Sequence, residues 1–573
     1  MTTTSLIHYF LAFLESLDVT PIFLVPGATL DPLVQALAED QSLKAVCCSH
    51  EVSAGYMADG YSRVTGKPGI MAVMGGPGAS HAMTALLTVK TEQIPLLLVT
   101  GDVDSKLADL HAFQNPGPAL LNQSAWLEPL MLKSWRIQDP AEAPKILAQA
   151  QTCLKAWPAG PLHLQIPVDL WEKPLEADLP ALKLTITETP PLSPERIRQL
   201  GDKLKSSVKC ALWVGSSLKA SLAAPQLESL ANSLQIPVIT SLRAKGLLPE
   251  NHPLSMGVFG FGGNSRAEQL LLSEELETLV VLGVRPSERN TLSWHADLLT
   301  GKRSILWVDQ TTQPQWAKAF PQLEVISANP NAILEALATQ IPPLPESLRA
   351  QRLAWLKFIK ERPAKLQPPE RETLATYFKL LRQAIEPTAP VFVDAGLVKR
   401  NAGSLWQALQ PDTFYISSEV GAMGWAIGAG IGAAFAQQKP VVVLTGDGSM
   451  RMQGTEISTA ALHRLPILFV VFKNGTLGSV AQRLAESPSS QSLLQLPPIQ
   501  WTVFAKSLGV PAQQVNSPAD LANILAEKQV LKGPFLIEIL LPISDSQAPE
   551  RAVPRLERPE HPGYLSRPSE QDL

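Results

Sequence analysis

Short apolar runs recur along the chain. Each ends in a turn residue and is followed by a stretch whose apolar positions repeat at helical spacing. In the first block a helix over Ser5–Leu17 leads to a strand over Pro21–Val25, the turn Pro26-Gly27-Ala28 and a helix from Asp31. A strand at Ala45–Cys48 and a long helix from Glu51 follow. Strand Gly69–Met74 ends at Gly75-Gly76-Pro77-Gly78-Ala79, another helix intervenes, and strand Pro95–Thr100 ends at Gly101-Asp102. The alternating run Pro161–Pro167 closes the block. The pattern restarts at Cys210–Gly215, with further strands PVIT, Leu279–Val284 and Ile305–Asp309. It restarts again at Pro390–Gly396, followed by TFYIS, a Gly/Ala-rich helix over Gly421–Phe435, strand Val441–Leu444 and a closing strand PFLIEIL. Strands alternating with helices in this way predict an α/β chain of three doubly wound parallel-sheet domains.

Proline placement divides the blocks. The 50 prolines of the 573 residues crowd at Pro174–Pro194, Pro342–Pro369 and beyond Pro542. The expected division is a first domain over 1–180, a central domain over 188–342, a basic and partly helical linker over 343–371, a third domain over 372–542 and a tail over 543–573. Apolar residues make up 45% and charged residues 17%, which predicts large buried surfaces, subunit interfaces among them. The net charge of −4 and the lack of a basic cluster argue against a nucleic-acid partner. No apolar run reaches the length of about 18 residues that spans a membrane. The start reads as an amphipathic helix without a basic n-region, and Cys47, Cys48, Cys153 and Cys210 show neither metal-ligand nor disulfide spacing. A cytoplasmic protein is the expectation.

The most informative stretch runs from Val441 to Gly478. Gly446-Asp447-Gly448 breaks the first strand, a helical pattern continues to about His463, Pro466 closes it, and Ile467–Phe472 makes a second buried strand ending at Asn474. A right-handed crossover brings both strand ends to one sheet edge. Hard oxygen donors there suit a Mg²⁺-bound diphosphate: Asp447, the Asn474 side-chain oxygen and the Thr476 carbonyl as ligands. Gly446 and Gly448 let the backbone approach phosphates, and the amides opening the helix near Ser449 face the anion.

A Gly-Asp-Gly followed by helix, strand and Asn resembles the thiamin diphosphate motif. The first block agrees: Ser-His-Glu at 49–51 and the continuation from Ala54 to Tyr61 are similar to the acetolactate synthase, oxalyl-CoA decarboxylase and benzaldehyde lyase types of that family. The resemblance implies that Glu51, protonated in an apolar cleft, hydrogen-bonds the cofactor's aminopyrimidine and promotes loss of the proton between ring nitrogen and sulfur. It implies that Met423 supports the bent cofactor, that Gly396, Leu397 and Gly421 give backbone contacts, and that Pro26 belongs to the cofactor-binding set. Gln114 in His111–Asn115 matches a Gln pointing at the reacting centre. Isolated histidines such as His81 and His163 are expected to be structural.

The family's acetolactate synthases read Gly-Tyr-Leu-Gly-Met-Val-Arg-Gln-Trp after the metal Asn. Here Ser479 replaces the Met and Arg483 the Trp, which points to a more polar or anionic acceptor. Arg285 stands where those enzymes have an FAD-contacting Arg. Gly215-Ser216-Ser217 and Ser287-Glu288 depart from the FAD pattern, which weakens the expectation of bound FAD without removing it, and a CoA or ADP site is expected less still. The resemblance implies decarboxylation of a 2-oxo acid with ligation of the acyl carbanion equivalent to an acceptor, in a homodimer or homotetramer in which Glu51 of one chain serves the diphosphate held by another. The alternatives are a lyase or decarboxylase without ligation, or an inactive cofactor-binding paralogue.

Overall fold

The computed structural model describes residues 4–541 apart from 157, 176–191, 300–302, 311–321, 363–369, 438 and 485–486. The tail expected over 543–573 lies outside the described residues. Three six-stranded sheets form, and every pairing within them is parallel. The first runs Ala45–Cys47, Ile22–Val25, Gly69–Met74, Leu96–Asp102, Pro161–Pro167, Lys133–Arg136 across the sheet. The third runs Phe414–Ile416, Val391–Val393, Val441–Gly446, Ile467–Lys473, Phe535–Leu540, Ala512–Val515. By chain position both follow the order 2-1-3-4-6-5, while the central sheet follows 3-2-1-4-5-6. The central strands are apolar on both faces, as sheets covered by helices on both sides demand.

The first and third domains share one core. Helix Glu51–Thr65 lies along helix Trp425–Ala436, and small residues let the two backbones touch. A Cβ on Gly60 would stand 1.9 Å from the Ala429 carbonyl oxygen, and one on Gly432 would stand 1.9 Å from the Met57 carbonyl oxygen. Trp425 donates its indole N–H to the buried Asp59 at 2.6 Å beside this crossing. The central domain has its own core, and the connecting helix Glu346–Glu361 packs into it through Trp355, Leu356 and Ile359. On the same helix, buried Arg352 donates to the carbonyls of Leu204, Ser207 and Leu234. Part of the expected linker is thereby drawn into the central body.

One buried carboxylate ties all three domains together. Glu92, at the end of helix Pro77–Glu92, accepts from Arg63 at 2.7 Å and faces Arg243 of the central domain at 3.5 Å. It also accepts from the Ser417 hydroxyl at 3.0 Å and the Ser418 amide at 2.7 Å in the third domain. Burial alone would raise its pKa, but Arg63 and Arg243 hold it down at about 2.

Two helices differ from the sequence expectation. The helix expected to reach His463 breaks at Gly454 into Asp447–Gln453, a 3-10 turn and Ile457–Leu462. At the break, buried Glu456 accepts the Ser49 amide at 3.2 Å and the Thr459 hydroxyl at 2.6 Å. The Gly/Ala-rich helix begins at Trp425, because Gly421 (φ +66) and Gly424 (φ +86) hold the preceding residues in a left-handed loop. Among the described residues no helix is long and apolar enough to cross a membrane.

Candidate active site

In an open doubly wound sheet, ligands bind beyond the strand carboxyl ends where the strand order reverses. In the third sheet that point lies between Val391–Val393 and Val441–Gly446, and a cleft opens there. Asp447 starts its helix directly after the second of these strands and is 5% exposed. Its Oδ1 accepts the Gly448 amide at 3.0 Å and its Oδ2 the Gly475 amide at 2.8 Å. Burial pushes its pKa up; the groups that favour its charge are backbone amides, and no cation is among them. Asn474 ends the neighbouring strand, and its Oδ1 accepts the Thr476 amide at 3.3 Å. The Thr476 carbonyl takes one hydrogen bond, from Gly478 at 2.9 Å, which leaves a lone pair. Asp447, Asn474 and Thr476 thus converge on one cleft with hard oxygen donors, the set a Mg²⁺ ion takes.

The rest of the cleft has the form of a cradle. Gly396 has φ +97 and Gly475 φ +71, and a Cβ at either would meet nothing within 4 Å. Backbone there faces open space, as close approach to a phosphate requires. Gly396 precedes helix Leu397–Leu405, and Leu397, Gly446, Gly448 and Ser449 line the cleft with it. Met423 reaches in from the left-handed loop; its Sδ is 3.7 Å from where a Cβ on Gly448 would stand. Gly421 belongs to the same loop, with Lys399 Nζ 3.7 Å from its Cβ position.

Sequence reasoning missed the residue that binds these pieces together. Asp394 is fully buried and accepts the amides of Ala395 and Gly424, both at 2.9 Å, and the Thr445 hydroxyl at 2.9 Å. It joins the Gly396 turn, the Met423 loop and the strand before Asp447. Burial pushes its pKa up to about 6, against these hydrogen bonds and one from Ser449. An Asp in VFVDAG is a visible signal only when paired with the strand end that it braces.

The first-domain candidates gather at the equivalent edge of their own sheet. Glu51 is the first residue of its helix, capped by His50, whose Nδ1 accepts the Val52 amide at 3.2 Å. The Glu51 side chain is 15% exposed; its Oε2 lies 3.0 Å from His81 Nδ1 and 3.7 Å from His50 Nδ1. Its Oε1 is 3.7 Å from the Cβ position of Gly78, in the turn that also brings the Gln114 carbonyl to 3.5 Å from the Cβ position of Gly76. Pro26 is exposed directly after strand Ile22–Val25.

In the single chain two imidazoles flank Glu51. His81, expected to be structural, is one of those imidazoles. His163 is structural: it is buried between Thr100 and Ser134 hydroxyls at 2.8 and 2.7 Å, and burial lowers its pKa to about 3. Pro26, Glu51 and Gln114 do not line the cleft that holds Asp447.

Comparison with known proteins identifies the family of the chain. Three family descriptions match successive parts of the chain. "Thiamine pyrophosphate enzyme, N-terminal TPP binding domain" matches residues 4–124, "central domain" residues 197–337 and "C-terminal TPP binding domain" residues 394–539. The chain is 26% identical to a probable acetolactate synthase large subunit of Methanocaldococcus jannaschii, covering 92% of this chain and 90% of that protein. It is 25% identical to acetolactate synthase isozyme 1 large subunit of Escherichia coli, with 95% of each covered. The acetolactate synthase large subunit of Corynebacterium glutamicum is 29% identical over 82% of this chain and 75% of its own length. The chain belongs to the thiamine pyrophosphate enzymes and is acetolactate synthase-like.

Proposed function

We propose that the protein decarboxylates a 2-oxo acid and ligates the acyl carbanion equivalent to an acceptor, using thiamin diphosphate and Mg²⁺. The observation that carries this is the third-domain cleft, where Asp447, Asn474 and Thr476 offer hard oxygens beside open backbone at Gly396 and Gly475. These oxygens would hold Mg²⁺ and, through it, the diphosphate; amides at the starts of helices Leu397–Leu405 and Asp447–Gln453 would face its charge. When bound, the cofactor supplies the nucleophilic carbon and the electron sink. Met423 supports the bent shape, Glu51 holds a proton toward the pyrimidine and Gln114 orients the substrate. Ser479 lines the cleft and Arg483 is exposed beside it, which favours a polar or anionic acceptor.

Because Pro26, Glu51 and Gln114 stand apart from the cleft of their own chain, we assign them to the cleft of a second copy. A homodimer is the minimum, and a homotetramer extends it. Large apolar side chains are exposed in the first domain at Leu110 (56%) and Phe113 (85%), and in the third at Met452 (55%) and Leu493 (85%), as subunit contacts would require. The cysteines are free, which suits a cytoplasmic setting. We read the central domain as working without FAD, and the local hydrogen bonding supports this. The amides of Gly215 and Ser217 are spent on the carbonyls of Leu282 and Gly283, at 2.9 and 3.1 Å, and Arg285 donates to the Thr91 carbonyl.

A second reading, release of an aldehyde without ligation, needs a placed acid, and the stacked His50 and His81 rings 5.0 Å apart beside Glu51 favour it. Mass spectrometry of products from purified protein with thiamin diphosphate, Mg²⁺ and pyruvate separates the readings. Acetolactate supports ligation, and acetaldehyde alone supports release. Stoichiometric cofactor binding without turnover of any member of a 2-oxo acid panel would overturn both and leave an inactive paralogue.

A further inference from the structure

The Glu51 carboxyl has two oxygens in different surroundings. Oε2 is joined to His81 Nδ1 at 3.0 Å, while Oε1 points toward the Gly78 turn. His81 comes from the next helix, Pro77–Glu92, and the turn before it is set by Gly76 at φ +68. Its side chain is 56% exposed against 15% for Glu51, so the imidazole is the wetter end of the pair. We propose that His81 is a positioning residue and proton relay for Glu51: it holds Oε2, leaves Oε1 for the cofactor, and exchanges the Glu51 proton with solvent. This rests on the role assigned to Glu51 above.

The relay balances without a further reactant. Water gives a proton to His81 Nε2, the Nδ1 proton passes to Glu51 Oε2, and a turn of the tautomer back to Nδ1–H resets the ring. His50 cannot take this part. Its Nδ1 already accepts the Val52 amide, which fixes the neutral ring as the Nε2–H form. It stacks on the His81 ring with 30° between planes and so holds that ring in place. The same engagement counts against reading the three groups as a dication site, since His50 would have to give up its helix cap.

The titratable groups that face His81 are Glu51 and His50, both at the start of the helix packed against its own.

The first test needs no cofactor. Full-length protein carrying ¹⁵N-histidine is observed by NMR, with His81 assigned by its loss in His81→Asn. We expect a neutral ring protonated at Nδ1, and loss of that preference in Glu51→Ala, where the acceptor for the Nδ1 proton is gone. A neutral ring protonated at Nε2, or a tautomer unmoved by Glu51→Ala, overturns the proposal. The second test follows exchange of the cofactor's thiazolium proton in the loaded protein. His81→Asn keeps a donor but cannot pass a proton on; it should slow exchange at least about tenfold. Undiminished exchange in His81→Asn overturns the relay alone. Undiminished exchange in Glu51→Gln overturns the reading of Glu51 itself.

Discussion

Asp394 is buried out of the cleft yet braces three of its walls, and its titration reports on that task. Its pKa rises from the ordinary 3.8 to about 6, so the protonated form favours the folded chain. That contribution is complete below about pH 4 and is lost as the pH climbs through 6. Calorimetry of the cofactor-free protein should show a midpoint that falls across this window, and the fall should be shallower in Asp394→Asn. Asp447 has the opposite consequence for binding. Because its pKa is raised and Mg²⁺ needs the carboxylate, cofactor affinity should weaken as pH falls through that titration. Above the Asp447 pKa, Asp447→Ala should weaken binding by tenfold or more, read by fluorescence titration, and the difference from the unsubstituted chain should narrow as pH falls through that pKa. Glu51→Gln should leave that titration nearly unchanged while removing turnover. Glu51, Asp447 and Asn474 were legible because their order and spacing along the chain carry the motif. Asp394, His81 and Glu92 were not, because each acts on partners far away in sequence, and residue type alone does not show which strand end or carboxyl a side chain will meet.

At the scale of elements, the contact between helices Glu51–Thr65 and Trp425–Ala436 decides how the first and third domains meet. Gly432→Ala would drive a methyl into the Met57 carbonyl and should destabilise the chain by about 1–3 kcal/mol or more, measured by urea unfolding. A substitution at Gly396 tests the opposite case, since its Cβ direction is open and the cost comes from its φ of +97. Gly396→Ala should therefore lower cofactor affinity more than it lowers stability. The buried strands read clearly from the sequence because they are apolar on both faces. Edge strand Lys133–Arg136 did not, since KSWR is polar and only half-covered. The break at Gly454 was hidden for a related reason: the glycine lies within a helical pattern, and the stop is enforced by Glu456 meeting the Ser49 amide.

For the whole molecule, the separation of the two half-sites makes a quantitative prediction. If Glu51 serves a partner's Asp447, mixing inactive Glu51→Gln and Asp447→Ala chains should restore about a quarter of the activity: half of the dimers are mixed and one site in each is intact. No recovery would place both residues in the same chain's site. The alternation of strand and helix made the three-domain α/β plan legible, including the likeness of the first and third blocks. It did not show that these two share a core while the central domain keeps its own. The Glu92 junction then has a consequence for recombination between relatives. A central domain transplanted without an arginine in the place of Arg243 would strip one of the two guanidinium partners from a fully enclosed carboxylate. Breaking a buried ion pair in this way costs about 3–5 kcal/mol. Hybrid chains should therefore survive only when donor and recipient agree at residues 63, 92 and 243 together, so that these positions are inherited as one unit even though they belong to separate domains.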